Sequence, residues 1–311
     1  ISEMLSGLVF GLGVVWIVCW LSYLLPQIVV KFAGVQNLKR KYNAEWAIVT
    51  GGSSGIGRAI VERLARQGIN VIVAAFPDKM LDTSVAEYQK LFPQVKFRKV
   101  AVNLAKDGYM EEIASASKDV NVNIVVNNAG YIKTGFFAEV PVEQQLANHN
   151  CNATSAMMIT HHFVKEMRVK GLKGCVTFTS SPAGFMPCPF SVMYGATKSY
   201  LTNFAQSLAP EIHPDGIDVC VVHPSPVASR FYEGTHKIGA LLFFKSTATG
   251  PETIADALLS SIGRVVTVDQ GYYPVCVKAL LRVCDVNFLA DVITSLAGHL
   301  PDFKLMKAKT A

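Results

Sequence analysis

Along most of the chain, short β-branched apolar runs alternate with longer segments in which apolar residues recur every three or four positions. EWAIVT (45–50), NVIVAA (70–75), VKFRKVAV (95–102), VNIVVNN (122–128), CVTFTS (175–180) and IDVCVVH (217–223) predict six strands, each bounded by polar residues or glycine. Between them, residues 57–67, 83–91, 109–118, 142–169 and 193–212 predict helices. Near-continuous apolar strands separated by helices predict a parallel sheet covered on both faces. The expected fold class is therefore α/β, a doubly wound parallel sheet of Rossmann type. No internal repeat or low-complexity linker interrupts it, so one domain over residues 42–270 is expected.

The two ends of the chain break this alternation. Residues 7–30 contain no charged side chain, and a helix of that length spans the roughly 30 Å of a bilayer core. Residues 1–31 are thus expected to be an N-terminal transmembrane anchor; a cleaved signal peptide would be shorter and carry a basic leader. Glu3 precedes the apolar stretch, whereas Lys31, Lys39, Arg40 and Lys41 follow it. The positive-inside rule then puts the remainder of the chain in the cytosol. After His223 the pattern loosens. Residues 224–250 hold prolines, glycines and an apolar set (Phe231, Tyr232, Leu241, Leu242, Phe243, Phe244), as in a lid. Residues 271–311 read as an amphipathic helical extension with a basic tail, on the domain or in the membrane interface.

The 311 residues carry a net charge of +6, with only 17% charged. The excess lysine and arginine gather near both ends, which suits a membrane surface; no nucleic-acid motif is present. Seven cysteines without CxxC spacing read as reduced thiols facing a reducing compartment. His149, His161, His162 and His236 form no metal constellation, so no metal is expected.

Candidate chemistry begins with two stretches. TGGSSGIGRA (50–59) lies between the first strand and first helix, where glycines let the backbone approach a pyrophosphate at a positive helix N-terminus. In MYGATKSY (193–200), Tyr194 and Lys198 stand four residues apart and share a helical face. A free phenol is a poor acid or base at neutral pH, and a neighbouring cation lowers its pKa.

Taken in order, TGxxxGxG (Thr50, Gly51, Gly55, Gly57), NNAG (127–130), FTSSPAG and YGATK resemble the fingerprints of the short-chain dehydrogenase/reductase family. The resemblance covers roughly residues 45–264. With the membrane span, and ATK after Tyr194, it is closest to the 17β-hydroxysteroid dehydrogenase and very-long-chain 3-oxoacyl-CoA reductase branch. It implies Ser181 as catalytic serine, with Ser180 the alternative register, and Asn152 as the helix asparagine, with Asn148 and Asn150 as competitors. Tyr194 would donate a proton to a carbonyl oxygen as hydride arrives, and Ser181 would bond that oxygen. Lys198 would hold the phenol's charge and the cofactor ribose, while Asn152 would hold a water leading from Lys198 to solvent.

The resemblance also implies a nicotinamide dinucleotide on Gly51, Ser53, Ser54, Gly55, Ile56, Gly57, Arg58, Asn103, Asn127, Ala129, Gly130, Tyr194, Lys198, Pro224, Val227 and Ser229. Ala75 stands where NAD-preferring members carry an acid, and Phe76 where arginine is common. Asp78 is displaced by a few residues. With Arg58 and Lys79 as available cations, NADPH is favoured, and NADH is the alternative. Asn103, Ser225 and Ser229 replace the family's usual Asp, Gly and Thr. The expected activity is reduction of a lipid-type ketone, a 3-oxoacyl-CoA or a steroid. The alternative is an accessory subunit of a membrane complex that keeps the fold without turnover. A homodimer through the long helices at 142–169 and 193–212 is the family's habit. KAKTA, with Lys307 and Lys309, resembles a dilysine retrieval signal, so the endoplasmic reticulum membrane is the expected location.

Overall fold

The computed structural model describes residues 2–310 apart from Gly234, Lys237 and Ile238; the side chains of residues 240, 241, 245, 309 and 310 also fall outside the description. Leu241 of the expected lid and Lys309 of the expected retrieval signal therefore lie beyond what is described. In chain order the elements are α1 (Ser2–Ala33), α2 (Leu38–Tyr42), β1 (Trp46–Thr50), α3 (Gly55–Arg66), β2 (Asn70–Ala75), α4 (Lys79–Leu91) and β3 (Phe97–Ala101). They continue with α5 (Tyr109–Ser117), β4 (Val122–Asn127), α6 (Val142–His149), α7 (Ser155–Lys170), β5 (Gly174–Thr179), α8 (Val192–Ile212) and β6 (Ile217–Pro224). The C-terminal part holds α9 (Gly239–Ser246), α10 (Pro251–Ser261), β7 (Thr267–Gln270), α11 (Tyr272–Val283), α12 (Val286–Leu296) and α13 (Pro301–Thr310).

All strands run parallel in the order β3-β2-β1-β4-β5-β6-β7. Successive strand residues point to opposite faces, and both faces are covered. Val49, Val71 and Val126 pack with Ile60, Leu64 and Leu258 of α3 and α10. Ile48, Ile72, Val125 and Val176 pack with Ile113, Phe163 and Leu201 of α5, α7 and α8. Each such side chain contributes about 1.5–3 kcal/mol of burial free energy. The order reverses between β1 and β4, and there the strand C-termini open a crevice.

Three departures from the sequence expectation have local causes. Helix α4 begins a turn earlier than its apolar pattern, because Asp78 accepts a capping bond from the Leu81 amide at 3.0 Å. The expected single helix over 142–169 is split by a π-helical turn, Asn150–Thr154. The seventh strand, TVDQ, pairs with β6 although only its two middle residues are buried.

Helix α1 has a mean hydropathy of 2.3 in its most apolar window and is 6% buried there, so it is a candidate membrane span. Its lower end is seated on the domain: Tyr23 and Val30 are buried, and the Tyr23 hydroxyl donates to Asp269 at 2.9 Å. Arg282 of α11 donates to the Cys19 carbonyl at 2.7 Å. Just beyond α1, the Gln36 amide donates to the Leu259, Ser260 and Ile262 carbonyls at the end of α10. Of the C-terminal helices, α12 has no buried residue, and Phe288 and Leu296 are exposed.

Candidate active site

The glycine loop is held by side chains from neighbouring elements. Thr50 Oγ1 accepts the amides of Asn128 and Ala129, both at 3.0 Å, and Asn128 Nδ2 returns a bond to the Thr50 carbonyl at 3.1 Å. Thr179 at the end of β5 donates to Asn128 Oδ1 at 3.2 Å. The ends of β1, β4 and β5 are thus stitched together through Asn128. Gly51 has φ +65°, and an added Cβ there would sit 3.0 Å from Ala129 Cα. A Cβ on Gly57 would stand 2.6 Å from Asn128 Nδ2 and collide with the Gly51 carbonyl. Ser54 precedes α3 without a side-chain capping bond, so the N–H groups of its first turn serve the cavity that Ser54, Gly55 and Ile56 line.

Cavity and loop run together into a crevice of about 1200 Å³. Gly51, Ser53, Ser54, Gly55, Ile56, Asn103, Ala129, Gly130, Tyr194, Lys198, Pro224, Val227 and Ser229 line it. Three expected cofactor residues do not. Gly57 lies beneath the loop, and Asn127 is buried below with its amide on Thr160 at 2.9 Å. Arg58 pairs with Glu62 at 3.0 Å and Glu87 at 2.8 Å, on the outside of α3 and α4. Asn103 closes a short turn by accepting the Ala105 amide at 3.0 Å. Ser229 faces Gly55, with its Cβ 3.4 Å from where a Gly55 Cβ would be. Ser225 is explained by its surroundings: its hydroxyl accepts the Tyr273 amide at 3.1 Å and so caps α11, with Gly271 leaving it room.

Ser181, Tyr194 and Lys198 line the crevice, whereas Asn152 is buried just behind its Gly130 wall. Tyr194 and Lys198 are both buried in the first turns of α8, with Lys198 Nζ 5.6 Å from the Tyr194 ring centre. Lys198 Nζ donates to the Thr179 carbonyl at 2.7 Å. Ser181 leads a tight turn, Pro182–Gly184, and accepts the Ala183 amide at 3.2 Å. Ser180, the other register, is committed elsewhere: its hydroxyl donates to the Lys198 carbonyl at 2.7 Å. The π turn places Asn152, whose Oδ1 accepts the Tyr131 amide at 3.0 Å and whose Nδ2 donates to the Tyr131 carbonyl at 2.9 Å. Both Asn152 Oδ1 and Lys198 Nζ border Gly130, at 3.1 and 3.4 Å from an added Cβ. Asn148 shares the Tyr131 carbonyl, and Asn150 bonds Thr154. A π turn breaks the helical bonding register, and the Cys151 carbonyl is taken up by the Ser155 hydroxyl at 2.8 Å.

The electrostatics differ from the sequence expectation. Burial pushes the Tyr194 phenol well above its ordinary range, the Ser181 hydroxyl opposing the rise. Burial pulls Lys198 down to about 8. Desolvation is the largest influence on both groups, and Lys198 Nζ is directed at the Thr179 carbonyl. Such a pair holds a protonated phenol beside an ammonium that is readily discharged.

Beside Tyr194 the crevice wall is aromatic. The Tyr194 ring lies 5.6 Å from Phe231, and Tyr232, Phe244 and Tyr273 extend the wall. Phe190, from the loop before α8, packs with its ring tilted against Phe303 of α13, centroids 4.5 Å apart, with Phe136 beside both. Of the expected lid, Leu242 and Phe243 are exposed. The sequence reading missed Asn128, Arg230 and the α13 residues. NNAG contains Asn128, whereas nothing in the local pattern announces that α13 returns to the crevice.

The short chain dehydrogenase family profile matches residues 45–237. A very-long-chain 3-oxoacyl-CoA reductase of Macaca fascicularis is 31% identical over 223 residues, covering 70% of this chain and 69% of that protein. The hydroxysteroid dehydrogenase-like protein 1 of Gallus gallus is 29% identical over 238 residues, 75% of this chain and 70% of that one. A solved short-chain dehydrogenase from Sphingobium yanoikuyae, in complex with NADPH, has the same fold. Its TM-score is 0.66 at 22% identity, covering 82% of this chain and 96% of the other.

Proposed function

The chain belongs to the short-chain dehydrogenase family and is an oxidoreductase, and from that premise we propose a membrane-anchored, NADPH-dependent reductase of lipid-type ketones, with 3-oxoacyl-CoA thioesters ahead of steroids. The observation that carries this reading is the meeting of buried Tyr194 and Lys198 with an aromatic cavity in a chain that carries the apolar helix α1. The residues present fit a nicotinamide dinucleotide: the uncapped first turn of α3 and the positive-φ Gly51 and Gly55 form a cradle that side chains would fill.

When bound, the reduced nicotinamide supplies the hydride. Tyr194 gives its phenolic proton to the carbonyl oxygen, which gains alkoxide character and is far more basic than a phenolate. A phenol kept protonated by burial suits this direction. Ser181 bonds the same oxygen and fixes its approach. Lys198 holds the ribose and, discharging near pH 8, returns a proton to Tyr194. Asn152 fixes the Tyr131 backbone, and its Oδ1 borders the same Gly130 as Lys198 Nζ, the place for a water that would connect Lys198 to solvent.

NADPH is preferred because no acid stands at Ala75, and Asp78 spends a carboxylate oxygen on capping α4. Arg230 lines the crevice, with its Nε on Glu233 at 2.8 Å and its Nη1 3.8 Å from Met80, and is better placed for a 2′-phosphate than Arg58, which lies outside the crevice. The apolar helix α1 and the basic residues that follow it support a membrane location with the domain in the cytosol. Exposed Met158 on α7 and Tyr200 on α8 support a homodimer through these helices.

The test is consumption of NADPH by the detergent-solubilised chain given 3-oxoacyl-CoA thioesters or steroid ketones. Turnover of a thioester with NADPH is expected. Failure to turn over any lipid ketone, together with failure to bind either dinucleotide, would favour the accessory role.

A further inference from the structure

Behind Lys198 a chain of buried polar groups crosses the domain to the anchor helix, and the reduction itself uses none of them. One turn after Lys198, Thr202 Oγ1 donates to the Lys198 carbonyl at 3.0 Å, where the Ser180 hydroxyl also ends. Thr202 Oγ1 lies 3.0 Å from His223 Nε2. His223 Nδ1 is 2.8 Å from Asp269 Oδ1, and neither side chain is exposed to solvent. The other oxygen of Asp269 receives Lys278 Nζ at 2.8 Å and the Tyr23 hydroxyl of α1 at 2.9 Å. The Asp269 amide donates to Gln27 Oε1 at 3.0 Å, and Gln27 Nε2 donates to the Thr267 carbonyl at 3.2 Å. Helix α1 thus covers the open edge of β7 as a further strand would.

The loop carrying Ser181 leans on the same groups. Phe185, directly after its tight turn, sits with its ring 4.4 Å from the His223 ring and 4.7 Å from Lys278 Nζ. The buried carboxylate of Asp269 is satisfied only while Tyr23, Lys278 and His223 all face it. Losing one donor leaves a buried charge short of partners, which the surroundings relieve by moving.

Resting on the reading of Lys198 and Ser181 above, we propose that His223 and Asp269 are positioning residues. Through them the seating of Tyr23 fixes the backbone of Lys198 and the loop of Ser181. The anchor helix is then part of the structure that holds the active site in register, in addition to holding the protein at a membrane. Tyr23 and Gln27 supply the contacts that a free tether would lack.

The test uses the full chain in detergent, with kcat and KM for ketone and for NADPH measured separately. Tyr23→Phe removes one hydroxyl and keeps the ring beside Lys278 and Arg282; kcat falls about three- to tenfold with both KM values within twofold of the parent. His223→Leu lowers kcat at least tenfold, and His223→Gln, whose amide reaches Thr202, recovers most of it. Hydrogen exchange of the peptide holding Lys198 and Thr202 reads the same coupling without turnover, and Tyr23→Phe speeds it. Parental kcat in both Tyr23→Phe and His223→Leu, or an effect confined to KM, overturns the proposal, as does unchanged exchange in Tyr23→Phe. If His223→Leu does not fold, Tyr23→Phe decides. A parent chain that reduces no ketone counts against the proposed function, and exchange then decides this inference alone.

Discussion

Replacing Lys198 by methionine should stabilise the protein at neutral pH and lose that advantage in base. Burial lowers the lysine from 10.5 to about 8, a gap of about 2.5 units. Below pH 8 the folded protein carries the full cost of a charged, buried ammonium, about 3 kcal/mol at 1.36 kcal/mol per unit. Between pH 8 and 10.5 the unfolded chain binds more protons than the folded one, so this cost fades as pH rises. At pH 9.5 only about 1 kcal/mol remains by the same relation. Methionine removes the cost but leaves the Thr179 carbonyl without its 2.7 Å donor, a loss of about 1–2 kcal/mol at either pH. The variant should therefore be more stable by about 1–2 kcal/mol at pH 7 and level or slightly weaker at pH 9.5. At about 2–4 °C per kcal/mol, the difference in melting temperature shifts by about 4–8 °C between the two pH values. Thermal unfolding of both proteins in detergent, without dinucleotide, measures it. A difference that stays constant from pH 7 to 9.5 would refute the claim that Lys198 is held in a dry site.

Other expectations follow from single contacts. Gly57→Ala drives a methyl group against the Gly51 carbonyl, costs about 1–3 kcal/mol of stability, and weakens NADPH binding at least tenfold by calorimetry. Arg230→Ala raises the KM for NADPH about tenfold and leaves that for NADH unchanged, since only the former carries the 2′-phosphate. Phe303→Ala opens the end of the aromatic wall next to Phe190, so in competition assays longer or bulkier ketones gain about tenfold over shorter ones.

What the sequence disclosed follows from where each signal resides. Five of the six strands were legible because interior parallel strands are buried on both faces and read as unbroken apolar runs, while the edge strand β3, FRKVA with one buried residue, showed through the apolar residues around its charges. The TVDQ strand was not: Asp269 belongs there only because Tyr23, His223 and Lys278 surround it, the first two far off in sequence. The π turn is invisible to periodicity, since the apolar spacing of 142–169 continues across it, although NCNATS holds both Asn152 and the serine that takes up the Cys151 carbonyl. Tyr194 and Lys198 were legible as a pair from spacing alone. Their burial was not legible, since Phe231, whose ring lies against Tyr194, stands far along the chain. Likewise Arg58 looked free until Glu87, on the next helix, engaged it.

The central claim is that Tyr194 delivers the proton in a ketone reduction, and Tyr194→Phe tests it with the least disturbance to the crevice. Single-turnover oxidation of bound NADPH by a lipid ketone should slow by about 100-fold or more, with NADPH affinity unchanged. Oxidation at the parental rate by a folded, dinucleotide-bound Tyr194→Phe protein would contradict the account.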